Sequence, residues 1–157
     1  MNRVLFAHGK EGSPNGTKAT MLKRKFNATT PKLTNSYELS DFFEDLDIIE
    51  NIGKKVDVMV GSSRGGALVA QARTDARKIL ICPAWKRFKT LLLPYLTSDD
   101  IIIHSGADNL VPFEDSVQLR DTYGCTLIEA GHDHRMGDDE TLALIEDTVR
   151  KVLEGEL

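Results

Sequence analysis

Short apolar runs alternate with amphipathic stretches along the whole chain. Residues 3–7, 56–60, 78–82, 101–104 and 125–129 are runs of four or five residues in which apolar side chains predominate, the length and composition of buried strands. A weaker run at 29–33 contains Pro31, which removes a ladder donor and confines such a strand to a sheet edge. The intervening stretches carry the helical period. Residues 17–26 put Met21, Leu22 and Phe26 on one side. A helix capped by Ser40 and closed near Gly53 carries Phe42, Phe43, Leu46, Ile49 and Ile52. Further helices are predicted from 65 to about 77, from Pro112 to about Tyr123, and from Asp138 onward, the last with Leu142, Ile145, Val149 and Val152 on one face. Residues 85–96 also read as helical, with Pro94 disturbing the end. Trp85, Phe88, Leu92 and Tyr95 form its apolar stripe, a pattern that serves the core more often than a pocket.

The strand runs are continuously apolar, as strands covered on both faces must be. Strand–helix alternation of this kind predicts an α/β fold: one mostly parallel open sheet of about six strands with helices on both faces. Such sheets bind ligands beyond the carboxyl ends of their strands, so the residues following each strand are the ones to inspect for chemistry.

After the 56–60 run comes Gly61-Ser62-Ser63-Arg64-Gly65-Gly66. G-x-S-x-G between a strand and a helix fits a sharp turn that lifts the central serine, Ser63, clear of the sheet. The same turn directs the N–H groups of the following helix N-terminus toward a bound oxyanion. A plain glycine-rich turn or a phosphate-binding loop is the blander reading. After 101–104 comes Ser105-Gly106-Ala107-Asp108-Asn109-Leu110-Val111-Pro112, where Asp108 is placed to orient a histidine; Asp115, inside the following helix, is a poorer candidate. After 125–129 comes Ala130-Gly131-His132-Asp133-His134-Arg135-Met136. Either His132 or His134 is a candidate base, since neutral imidazole can take a serine proton near neutral pH. The order serine, aspartate, histidine is that of a hydrolase triad. After 3–7 comes His8-Gly9-Lys10-Glu11-Gly12-Ser13-Pro14. The backbone N–H of Lys10 is a candidate oxyanion donor, with that of Arg64 as the second, while His8 reads as a structural residue that ties down this loop.

Composition narrows the picture. The 157 residues suit one domain, and 41% hydrophobic with 28% charged residues is ordinary for a globular chain. A net charge of −4 and a pI of about 5.6 argue against nucleic acid as a partner. The basic cluster Lys18, Lys23, Arg24 and Lys25 reads as a solvated helix face. Cys82 and Cys125 lie in or beside apolar runs with no C-x-x-C pairing, so buried free thiols are expected rather than a disulfide or a metal site. No segment is long enough for a transmembrane helix, and Val4–Ala7 is too short for a signal-peptide core. A cytoplasmic protein without a membrane partner is the expectation.

His8-Gly9, the serine turn at Ser63, Gly106-x-Asp108-x-x-Val111-Pro112 and Gly131-x-x-His134, in that order and spanning nearly the whole chain, resemble the landmarks of the α/β-hydrolase superfamily. The short length and the His8-Gly9-x-x-x-Ser13-Pro14 segment are similar to the small bacterial esterase-like serine hydrolases. The resemblance implies a minimal α/β-hydrolase fold without a large lid. It implies Ser63 as nucleophile, Asp108 as acid and His134 as base, with His132 as the alternative base. The activity it implies is cleavage of a small ester or thioester, with a small acyl compound as the partner and no cofactor or metal. The chain departs from the pattern in its shortness and in placing the charged residues Lys10 and Arg64 at the presumed oxyanion positions. With Arg135 these side chains could favour an anionic substrate, although side chains pointing to solvent are the expected arrangement. Two other readings compete. One is a metal-dependent hydrolase using His132, His134 and an acid such as Asp138; the other is a non-catalytic binding protein on the same fold.

Overall fold

A computed structural model describes residues 3–88 and 93–157. Five strands, β1 (Val4–Ala7), β2 (Val58–Ser62), β3 (Arg77–Ile81), β4 (Ile101–His104) and β5 (Thr126–Glu129), form one sheet in the order β1-β2-β3-β4-β5. Every pairing is parallel, and the register sets Phe6 opposite Val60, Val60 opposite Ile79, Ile79 opposite Ile101 and Ile101 opposite Thr126. The helices are α1 (Thr17–Phe26), α2 (Leu39–Gly53), α3 (Arg64–Gln71), α4 (Phe113–Tyr123) and α5 (Asp139–Leu153).

Because successive strand residues face opposite ways, the apolar runs feed two cores at once. Leu5, Ala7, Met59, Leu80 and Ile102 pack on one side with Phe42, Leu46 and Ile49 of α2, Leu68 of α3 and Leu119 of α4. Val4, Phe6, Val58, Val60, Ile79, Ile81, Ile101 and Ile103 pack on the other with Ala19 and Leu22 of α1 and Ile145, Val149 and Val152 of α5. The sixth strand expected at 29–33 is reduced to one parallel bridge, Leu5 to Thr29. Thr29 donates to Val4 O at 2.9 Å and accepts from Phe6 N at 2.9 Å. Pro31 removes the next donor, so the ladder stops there. The bridge lies on the free edge of β1, which means the chain leaves β1 in one direction and returns across it to β2. That reversal puts α1 and α2 on opposite faces and makes the carboxyl ends of β1 and β2 the natural crevice of the sheet.

Several boundaries differ from expectation. β2 begins two residues later than the valine run because Val56 only packs against the rim of the core. α2 starts at Leu39 with Glu38 at its N-cap, and no side chain caps it, so Ser40 does not do so. α3 ends at Gln71, where Ala72 turns extended and Glu50 takes the Arg73 N–H at 2.7 Å. Pro112 is the N-cap of α4 rather than its first residue. The helix expected over 85–96 is absent from its described parts: 85–88 form a turn and 93–97 are irregular. Leu92 lies outside the described residues. Phe88 is buried and stacks on Phe42 at 5.2 Å between centroids, so it belongs to the core. Trp85 and Tyr95 border two separate hollows, neither of which includes Ser63, Asp108 or His134. Both cysteines are free and buried. Among the described residues no helix is long and apolar enough to cross a membrane.

Candidate active site

The glycines around Ser63 are dictated by space. A side-chain carbon on Gly61 would stand 2.3 Å from Gly65 O, and one on Gly65 would stand 2.0 Å from Ala7 O. Only hydrogen fits where β1, β2 and α3 cross so closely. Ser63 itself has φ 55° and ψ −114°, a strained conformation for a residue with a side chain. Its backbone is locked there: Ser63 N–H donates to Ile81 O at 2.9 Å, and Ser63 O accepts from Ala67 N at 3.1 Å and Ala84 N at 3.0 Å. The side chain is thereby lifted off the end of β2 and remains partly accessible.

His134 comes to it from the loop after β5. Its Nε2 lies 2.9 Å from Ser63 Oγ and its Nδ1 lies 2.7 Å from Asp108 Oδ2. The loop is pinned at several points. Ser105 Oγ donates to Gly131 O at 3.1 Å, Met136 N donates to Asp133 Oδ1 at 2.9 Å, and Lys18 Nζ donates to Arg135 O. Met136 is fully buried. Lys18 therefore reaches in from α1 instead of lying on a solvated face, and burial lowers its pKa. His132, the alternative base, is exposed, and His134 is the ring that meets Ser63.

Asp108 is held by the turn after β4. Its Oδ1 accepts from Leu110 N and Val111 N, both at 2.8 Å. Burial works against its charge, but these N–H groups and His134 outweigh it, and the carboxyl titrates below the usual range. An acceptor-only carboxylate requires the proton on His134 Nδ1, which leaves Nε2 free to accept from Ser63 Oγ–H. The chain hydroxyl–imidazole–carboxylate is thus arranged to draw a proton from the serine as its oxygen bonds to an electrophile.

His8 is buried and structural, as expected. Its Nε2 accepts from Leu33 N at 3.0 Å, which puts its proton on Nδ1, 2.8 Å from Gly9 O. It thereby fixes the loop that carries Lys10. A carbon on Gly9 would lie 3.1 Å from Ser63 Cβ, so this loop runs directly over the serine. Among the described residues, neither Lys10 N–H nor Arg64 N–H takes part in a turn, loop or cap hydrogen bond. The Arg64 side chain differs from expectation. Arg64 is only 1% exposed and points inward, with Nη1 2.7 Å from Asp45 Oδ2, Nη2 2.9 Å from Thr34 Oγ1 and Nε 2.9 Å from Ser36 O. It neither faces solvent nor offers charge to a ligand. Lys10 lies 3.6 Å from Glu11 and over the Tyr37 ring.

For a metal, His132, His134 and Asp138 form no ligand cluster among the described residues. Among the described residues the one group of close donor atoms is Cys82, Asp108 and His134, all within 4.8 Å. Within it Asp108 Oδ2 and His134 Nδ1 already face each other at 2.7 Å, so these two ligand atoms are spent on one another.

No family model matches the chain, and no curated protein matches its sequence. Solved structures do match its fold. A protein of the α/β hydrolase superfamily from Xanthomonas campestris pv. campestris is similar over 99% of both chains, with 20% identity and a TM-score of 0.82. Mouse alpha/beta hydrolase domain-containing protein 10 matches 97% of this chain over 89% of its own, at 17% identity and TM-score 0.74. Est1E from Butyrivibrio proteoclasticus matches 98% over 87%, at 19% identity and TM-score 0.72. The chain has the α/β-hydrolase fold, in a minimal five-stranded form.

Proposed function

We propose that the protein is a serine hydrolase that cleaves a small ester or thioester through an acyl-enzyme, with Ser63 as nucleophile, His134 as base and Asp108 as acid. The observation that carries this reading is the unbroken chain from Ser63 Oγ to His134 Nε2 at 2.9 Å and from His134 Nδ1 to Asp108 Oδ2 at 2.7 Å. His134 takes the Ser63 proton as Oγ bonds to the acyl carbon. The N–H groups of Lys10 and Arg64 stabilise the tetrahedral oxyanion, at about 3 kcal/mol per donor by analogy with enzymes from which one was removed. The imidazolium returns the proton to the leaving alkoxide or thiolate. A water deprotonated by the same ring then attacks the acyl carbon, releasing the acid and restoring Ser63. The reaction calls for no cofactor, the partner is a small acyl compound, and the proposed setting is the cytoplasm.

A fluorophosphonate probe with mass-spectrometric localisation tests this reading. We expect an adduct on Ser63 that is absent in Ser63→Ala, strongly slowed in His134→Ala and unaffected in His132→Ala. A folded parent that takes up no probe would favour a binding protein on this fold instead.

A further inference from the structure

Asp108 has a second imidazole against it. His104, the last residue of β4, is completely buried, with Nε2 3.1 Å from Asp108 Oδ2 and 3.0 Å from Val111 O. On its other side Nδ1 lies 2.6 Å from the Oγ of Ser116 in α4, itself fully buried. A carboxylate and a carbonyl only accept, so Nε2 must carry a hydrogen. Burial disfavours a charged ring, and its pKa is lowered despite Asp108 and Val111. The ring is therefore neutral, and Nδ1 accepts from Ser116 Oγ–H. Every polar atom of this buried group is satisfied by a single proton arrangement.

We infer that His104 is a positioning residue for the reaction proposed above: its Nε2–H holds Asp108 Oδ2 in line with His134 and withdraws charge from the oxygen that orients the base. The inference rests on that triad reading. The carboxylate is gripped on Oδ1 by two backbone N–H groups, which fix one oxygen but leave rotation about it to be resisted. His104 supplies the resistance on the oxygen that matters for catalysis. The titratable groups facing this oxygen are His104 from β4, His134 from the loop after β5 and the Cys82 thiol from the end of β3. Deleting the His104 donor leaves Oδ2 more basic. It then holds an imidazolium proton on His134 more tightly, and the neutral base is reached only at higher pH.

The experiment compares the parent, His104→Gln and His104→Phe on an activated ester, across pH, with Ser63 labelling alongside. Gln offers an N–H near the Nε2 position; Phe fills the space without a donor. We expect His104→Phe to lower kcat about tenfold at little change in KM, the loss of one charge-assisted hydrogen bond. We also expect the acid limb of its kcat/KM profile to move to higher pH, and His104→Gln to recover most of both. A folded His104→Phe variant with parental kcat and an unmoved limb would overturn the inference. Should that variant not fold, 15N spectroscopy of the parent decides: His104 must be neutral and Nε2-protonated at pH 8, where the triad needs a neutral base, and a ring that is charged or protonated on Nδ1 there overturns it. A parent with neither esterase activity nor Ser63 labelling would instead overturn the triad reading and leave this spectroscopic test standing.

Discussion

At the scale of single residues, Asp108 joins the proposed chemistry to stability. Replacing it with Asn keeps the shape but offers His134 an amide that can donate, which permits the wrong imidazole tautomer. Asp108→Asn should therefore lower kcat by about 10⁴, the loss seen for the same change in another triad. The same carboxyl titrates below the usual range, so its ionised form contributes stability. That contribution is complete above the ordinary aspartate value and disappears as pH falls through the lower folded value. Urea unfolding at pH 7 and pH 3 should show Asp108→Asn destabilised at pH 7, with a smaller difference at pH 3. That Ser63, Asp108 and His134 would meet was legible in the sequence because a parallel sheet gathers whatever follows its strands, and each of them follows one. His104 was not, because a histidine closing the run Ile101-Ile102-Ile103 reads as the end of a strand. Its spacing of four residues before Asp108 was the available signal.

At the scale of elements, the serine turn is braced by a buried ion pair between helices. Asp45 of α2 and Arg64 of α3 are 2% and 1% exposed and 2.7 Å apart. The guanidinium also lies over Phe42 and Phe88 at 5.5 and 5.4 Å from their centroids. Removing one partner strands a charge, so Arg64→Met should cost about 3–5 kcal/mol in urea unfolding. The double change Asp45→Leu with Arg64→Met should recover only part of it: the stranded charge is gone, but Thr34 N, Thr34 Oγ1 and Ser36 O lose their partners as well. The sequence held a hint: Asp45 falls on the apolar stripe of α2, with Phe42, Leu46 and Ile49, and a carboxylate on a buried face requires a cation. What it could not supply was the partner, because Arg64 sits nineteen residues away on another helix. The short α3 and the irregular path of the described parts of 85–96 escaped for a related reason. Local periodicity does not register that Ala70 O is taken by Tyr95 N at 2.7 Å and that Ala72 O and Tyr95 O both accept from Lys78 Nζ. Gly65→Ala tests the turn itself. With backbone oxygen 2.0 Å away and no flexible neighbour to yield, it should cost about 1–3 kcal/mol or more and slow Ser63 labelling. Gly137→Ala, with open space around it and an ordinary φ, should change stability by less than about 0.5 kcal/mol.

At the scale of the whole molecule, the two-faced core sets how stability responds to alkaline pH. Cys82 directly follows β3 in complete burial, and desolvation keeps its thiol protonated far above the ordinary range. In the unfolded chain the same thiol ionises from about pH 8.5. Above that value the folded state holds a proton that the unfolded state has released, so this group makes stability fall as pH rises. Lys78, buried on the same strand, acts with the opposite sign. Burial lowers its pKa to about 8, so from there to the ordinary lysine value the unfolded chain binds the extra proton and stability rises with pH. Cys125, whose thiol burial raises to about 11, adds to the first effect, and Lys18, lowered by burial, adds to the second, so opposing contributions overlap in the parent's alkaline profile. Cys82→Ala separates them. At pH 7.5 it should be less stable than the parent by about 1 kcal/mol, for the lost contacts of one buried atom. By pH 10 the balance should move in the variant's favour by about 2 kcal/mol, because about 1.4 kcal/mol accrues per pH unit once the unfolded thiol is ionised. Urea unfolding of both proteins at the two pH values measures this directly. A difference that does not change with pH would mean that the folded Cys82 thiol ionises as readily as the unfolded one, which complete burial in the core beneath α1 and α5 does not allow.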